Sequence, residues 1–257
     1  MECYHGAVHG LSALLLLGGA LYLFDQRRNK PAPYGRYTEG SPLSVPACWG
    51  WFLQELPAFL VPALMACTTD GSVHGRRLLL CTFMLHYLHR SLVYPFFLRG
   101  RPHARAAGGV RGRVCLLNGF LQTTPSSLLP RTGLGLALFR SGPVCVWDVM
   151  NIHSDHILRS LRRPGETVYR IPRGGLFELV SGANFLAEIV EWFGFAVAVW
   201  TLPAFSFAFF TACSIGPILP EKFPEYPRSR RALIPFILYT SSHDDKLYPA
   251  PSFRARA

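Results

Sequence analysis

Asn184, Glu188, Glu191 and Trp192 stand inside one of the most apolar stretches of the chain, GANFLAEIVEWFGFAVAVW. Asn184 and Glu188 are four residues apart, Glu188 and Glu191 three, and Glu188 and Trp192 four, so a helix turns them roughly to one side. Two readings of such a stripe stay open. Ionisable groups in apolar helices commonly bind or transfer something, and they also hold neighbouring helices together. Just upstream, Arg159, Arg162, Arg163, Arg170 and Arg173 crowd one segment with Tyr169 among them. Guanidinium forks suit phosphate oxygens, although on charge alone the same arginines would also serve a lipid-headgroup surface. Their junction with the polar helix face favours a pocket for a phosphorylated cofactor.

Two more polar pairs interrupt apolar runs. Gln54 and Glu55 lie between Trp49 and Cys67, and His86 and Tyr87 lie between Leu78 and Leu98. A Tyr hydroxyl and a carboxylic acid are both hydrogen-bond donors. Meeting at one point, they could hold a carbonyl oxygen and stabilise charge growing on it; an interhelical hydrogen bond is the plainer alternative. His153, Asp155 and His156 have the residue types of a metal site, but no further His or Cys has a fitting spacing, so no metal is expected. Instead, NIHSDH reads as a helix entry capped by Asn or Ser. The GLGLAL run at Gly133 lacks a third glycine and a following acid, so a dinucleotide would be held without a Rossmann unit.

Positioning such groups requires apolar helices, and the composition supplies them. Half of the 257 residues are hydrophobic and only 16% are charged, and mean hydropathy is +0.22. That is too apolar for an ordinary soluble domain and fits several membrane spans. The net charge of +11 then falls on loops, where it favours anionic headgroups. Nucleic acid is not an expected partner, because the basic residues form no single stripe. The seven cysteines are spread evenly without a CxxC pair, so they predict small buried hydrophobes rather than disulfides or zinc. Spans are predicted at 11–24, 49–67 and 78–98. One or two more belong in 99–150, where Arg140, Gly142 and Pro143 interrupt the apolar pattern. Two further spans fit in 176–219, with Pro203 as the break. A transporter reading finds no inverted repeat to support it.

Long segments carry a resemblance: PYGRYTEG (33–40), WFLQELPAFLVPA (51–63), HYLHRSLVYPFFLRGRP (86–102), NGFLQ (118–122), the run 151–210 and FPEYPRSRRALIPFI (223–237). In these segments the chain resembles the steroid 5-alpha-reductase family. The resemblance implies an all-α, polytopic membrane protein of the endoplasmic reticulum, with six to seven transmembrane helices around a cofactor and steroid cavity. It implies reduction of the C4–C5 double bond of 3-oxo-Δ4 steroids by NADPH. Glu55 and Tyr87 match the family's pair on the steroid 3-oxo group, with Gln54 beside them. Asn151, Asp155, Arg162, Tyr169, Arg170, Asn184, Glu188 and Trp192 match positions lining its NADPH site. The membrane domain would occupy 1–237, with its cofactor core at 151–237 and an extra, disordered tail at 238–257. Residues 103–150 and 214–222 depart from the family pattern. A working reductase and a membrane relative with an impaired cofactor site therefore both remain readings.

Overall fold

The computed structural model describes residues 2–28, 44–68, 74–98, 103–123, 133–161 and 170–216. Among these, seven α-helices account for most of the structure: α1 (Glu2–Arg28), α2 (Ala47–Thr68), α3 (His74–Leu88), α4 (Arg105–Thr123), α5 (Leu134–Ser160), α6 (Ala183–Val199) and α7 (Leu202–Ile215). The extended structure is one antiparallel pair of two-residue strands, β1 (Ser44–Val45) and β2 (His103–Ala104), which joins the chain just ahead of α2 and α4. Neighbour contacts run α7 to α6, α6 to α5, α5 to α3, α3 to α2, α2 to α4 and α4 back to α7. Six helices therefore close on themselves, and α1 lies against α7. Close approach needs small residues at the crossings. A Cβ on Gly119 of α4 would stand 3.0 Å from the Pro57 carbonyl oxygen and 3.1 Å from Ala58 Cα, so only glycine lets α4 sit this near α2.

The distribution of polarity is inverted relative to a soluble domain. Gln54, Glu55, His86, Arg90, Asn118, Asp148, Asn151, Asp155 and Glu191 are all buried. Phe139, Trp200 and Leu179 are 80%, 73% and 67% exposed, and Leu14, Leu53, Leu64, Leu85 and Leu138 also face outward. Two helices, Cys3–Arg28 and Ala47–Cys67, are long and apolar enough to cross a membrane by length and composition; the apolar Leu202–Ile215 helix is shorter.

Several expectations need correction. The 78–98 run is not one α-helix. It passes into a π-helical turn (His89–Val93) and then a 3₁₀ turn (Tyr94–Phe97), with the Tyr94 N–H bonded to the His89 carbonyl five residues back. NIHSDH is no helix entry, because Asn151 to His156 lie in the last turns of α5, and Arg159 is helical too. Pro143 does not break α5: the residue is exposed, and the carbonyl that loses its partner belongs to Phe139 on the outer surface. The 176–219 tract breaks at Trp200, which takes a left-handed conformation (φ 56°), while Pro203 occupies the first turn of α7. Cysteines are mostly not buried: Cys115 and Cys213 are, but Cys3, Cys67, Cys81 and Cys145 are exposed, and all seven are free.

Candidate functional site

The closed ring turns three layers of polar groups inward. In the first, α2 brings Gln54 and Glu55, whose side chains bond to each other, Gln54 Nε2 donating to Glu55 Oε1 at 3.3 Å. The other carboxyl oxygen of Glu55 accepts from the Cys115 thiol of α4 at 3.4 Å. Tyr87 of α3 is 3% exposed, and its hydroxyl oxygen accepts from Asn118 Nδ2 at 3.0 Å. Glu55 and Glu188 both lie near enough to Tyr87 to act on it electrostatically. Trp192 of α6 closes this layer with its ring 5.6 Å from Tyr87, 5.7 Å from Phe83 and 4.9 Å from Phe207.

Arg90 dominates the second layer. Its Nη1 donates to Asp155 Oδ2 at 2.8 Å, and Nη2 lies 3.6 Å from Glu188 Oε2. The guanidinium also covers the rings of Trp51 and Tyr94, each at 4.9 Å. One cation thus ties the π turn to α2, α5 and α6. In the third layer His86 Nδ1 sits 2.7 Å from Glu191 Oε1 and 3.3 Å from Asp148 Oδ1. This trio has the residue types of a metal site. However, 2.7 Å is a hydrogen-bond separation, shorter than the roughly 3.3 Å between two ligands each about 2.0 Å from one tetrahedral zinc. The geometry is that of a shared proton.

Unsatisfied polar atoms mark where a ligand would be recognised. Among the described residues, the buried donors Asn151 Nδ2, Arg159 Nε and Trp192 Nε1 have no partner, and neither do the acceptors Gln54 Oε1 and Glu191 Oε2. Buried donors without acceptors are costly, and three of them suit a group rich in oxygen acceptors. Close by, the Gly174–Gly175 turn runs tightly against α5. Gly175 has φ +55°, and a Cβ there would stand 2.7 Å from His153 Cε1. Glu178 Oε1 accepts from the Gly174 N–H at 2.7 Å, and Arg170 Nη1 donates to the Leu161 carbonyl at 2.8 Å.

Of the residues singled out from sequence, Gln54, Glu55, Tyr87, Asn151, Asp155, Glu188 and Trp192 are carried by helices of the ring. Asn184 is half-buried in the first turn of α6, and Arg170 is exposed. Arg162 and Tyr169 lie outside the described residues. Asp155 points inward to Arg90 while His153 and His156 are exposed, so those three do not converge. Asn118, Gln122, Arg90 and Asp148 were not among the expected site residues. A signal existed for each pair of elements: Asn118 and Gln122 are four apart in an apolar run, and Asp148, Asn151 and Asp155 repeat at i, i+3 and i+7.

Comparison with known proteins fits this geometry. A family profile described as 3-oxo-5-alpha-steroid 4-dehydrogenase matches residues 114–238. The chain is 44% identical over 260 residues to 3-oxo-5-alpha-steroid 4-dehydrogenase 2 of Macaca fascicularis, with 92% of this chain and 99% of that protein covered. The same figures hold for the Homo sapiens protein of that description. Identity to 3-oxo-5-alpha-steroid 4-dehydrogenase 1 of Bos taurus is 41% over 232 residues, covering 80% of this chain and 88% of that protein.

Proposed function

Because the chain belongs to the 3-oxo-5-alpha-steroid 4-dehydrogenase family of oxidoreductases, we propose that it reduces the C4–C5 double bond of 3-oxo-Δ4 steroids with NADPH, the conversion of testosterone to 5α-dihydrotestosterone being the type reaction. The observation that carries this reading is the convergence of Glu55 and Tyr87 with Glu188 and Trp192 inside one ring of helices. In this reading the Tyr87 hydroxyl and the acid form of Glu55 donate to the steroid 3-oxo oxygen. Donation there draws electrons along the enone, so C5 becomes electrophilic and negative charge collects on the oxygen. Fixed donors in a dry site stabilise that charge strongly. Protonation of the resulting enolate at C4 completes the reduction.

NADPH supplies the hydride when bound. Asn151, Trp192 and Arg159 hold the unspent donors for it, with Arg170, Asn184 and Glu188 nearby in the chain order expected for this site; Arg162 and Tyr169 belong to the same set. Asp155 acts in this reading through Arg90, which it fixes. The outward apolar side chains support placing the helices in the endoplasmic reticulum bilayer as six or seven spans, from which an apolar steroid reaches the ring interior. An impaired relative is the weaker reading, since the alignment runs through 99% of the type 2 relatives' length.

The test is direct. Microsomes expressing the chain, given testosterone and NADPH, are expected to form 5α-dihydrotestosterone. Product no greater than in microsomes lacking the chain overturns the reductase reading. NADPH is also expected to raise the thermal midpoint in detergent, as mass action requires of a ligand of the folded state.

A further inference from the structure

We infer that Gln122 and Asn118 form a one-way donor relay that holds the Tyr87 hydroxyl proton toward the steroid ketone. The inference rests on the reductase reading above, and it concerns two positioning residues rather than groups that touch substrate.

The direction of the relay follows from its obligate acceptor. Gln122 Nε2 lies 3.2 Å from the Pro203 carbonyl oxygen at the start of α7. A peptide carbonyl can only accept, so the Gln122 nitrogen must face it. Ser206 Oγ donates to the same carbonyl at 2.8 Å, which fixes that end. The same Gln122 nitrogen lies 3.0 Å from Asn118 Oδ1, which leaves the Asn118 nitrogen turned the other way, 3.0 Å from the Tyr87 hydroxyl oxygen. An amide nitrogen has no acceptor, so Tyr87 receives a hydrogen bond from Asn118 and cannot return one. Its own proton is left for another acceptor.

Each step adds to the next. Accepting from Gln122 makes the Asn118 N–H a stronger donor, and accepting from Asn118 makes the Tyr87 O–H a stronger donor in turn. Burial keeps water from competing: Asn118 is 0% exposed, Tyr87 3% and Gln122 9%. Gly119 serves the same end, because its missing side chain lets α4 approach α2 and sets Asn118 at this depth. Chain order is therefore α7 backbone, α4 amides, α3 phenol, substrate.

Reversing one link is the decisive perturbation. Asn118→Asp replaces the donor with an acceptor, so the Tyr87 proton is drawn back from the ketone. Steroid titrations at saturating NADPH are expected to show a kcat loss of about 30-fold or more, approaching the loss of an oxyanion donor. Gln122→Leu removes only the cooperative part and is expected to lower kcat about two- to sevenfold. NADPH affinity stays within about twofold in both, because neither amide is a cofactor donor. In a Tyr87→Phe background the relay has nothing to act on, so adding Asn118→Asp is expected to change kcat by less than about twofold. Losses that multiply in the double variant, or Asn118→Asp turnover near that of the parent, overturn the relay. If Asn118→Asp does not fold, unchanged kcat in Gln122→Leu overturns it instead. A parent chain without turnover refutes the reductase reading and not the relay, which has its own readout. In protein labelled with 3-fluorotyrosine, the ¹⁹F resonance missing from Tyr87→Phe is expected to shift in Asn118→Asp and in Gln122→Leu; an unmoved resonance in both overturns the relay.

Discussion

Arg90→Met should be among the most damaging single substitutions in the chain, and the structure says why. Asp155 is 2% exposed and accepts from Arg90 at 2.8 Å. Removing one partner of a buried ion pair costs about 3–5 kcal/mol, because the other charge stays buried and unpaired. The Glu188 contact at 3.6 Å is longer and its carboxylate 21% exposed, so it adds less than about 1 kcal/mol. Loss of the two ring contacts at 4.9 Å adds about 1 kcal/mol or somewhat more. The sum is about 4–6 kcal/mol, which at about 2–4 °C per kcal/mol for a chain this size lowers the thermal midpoint by about 10–20 °C. The assay is thermal unfolding in detergent without nucleotide. Arg90→Met/Asp155→Leu removes both charges together and should recover most of the loss, to within about 2 kcal/mol of the parent. Arg90→Lys should fall between, since one ammonium cannot span both carboxylates as a fork does. A midpoint change under about 3 °C in Arg90→Met, or a double variant as unstable as the single, would refute the reasoning.

Glu55→Gln and Tyr87→Phe should each lower steroid turnover by about 10²–10³ while protein level and thermal midpoint stay near the parent; unchanged turnover in both removes them from the chemistry. Trp192→Ala empties a site bounded by Phe83, Tyr87 and Phe207 and should cost about 3–5 kcal/mol, read as the same midpoint shift. Gly119→Val forces α4 from α2 against backbone atoms 3.0–3.1 Å away and should cost about 1–3 kcal/mol; a neutral effect would mean that the two helices slide apart freely.

Much of this arrangement was legible in the residue order. The apolar runs at 11–24 and 49–67 fall within α1 and α2, because length and hydropathy alone suffice where no proline or charge forces a choice. The stripe of Glu188, Glu191 and Trp192 does face neighbouring helices. Its partners were beyond reach, because pairing Glu191 with His86 or Asp155 with Arg90 depends on which helices become neighbours. The π turn was equally hidden, since His89–Val93 carries no glycine or proline and reads as ordinary helix. Pro143 misled in the opposite direction: its position on the outer face lets α5 continue past it. Asn118 and Gln122 had the same four-residue spacing that drew attention to Asn184 and Glu188, but their direction of donation exists only once Pro203 of α7 is beside them.

The wide turn at His89–Val93 is in effect one surplus residue lodged in a spiral, and it sets the phase between everything before it and everything after it. Deleting Leu92, which faces outward, would let the spiral close to its regular pitch. Tyr94 and Pro95 would then swing about 100° around the axis relative to Tyr87. The Tyr94 ring would leave both Arg90 and Trp51. Segment length here is as much a constraint as residue identity: a missing leucine that touches nothing polar would uncouple the cation from its cradle more thoroughly than most replacements of the side chains that form it.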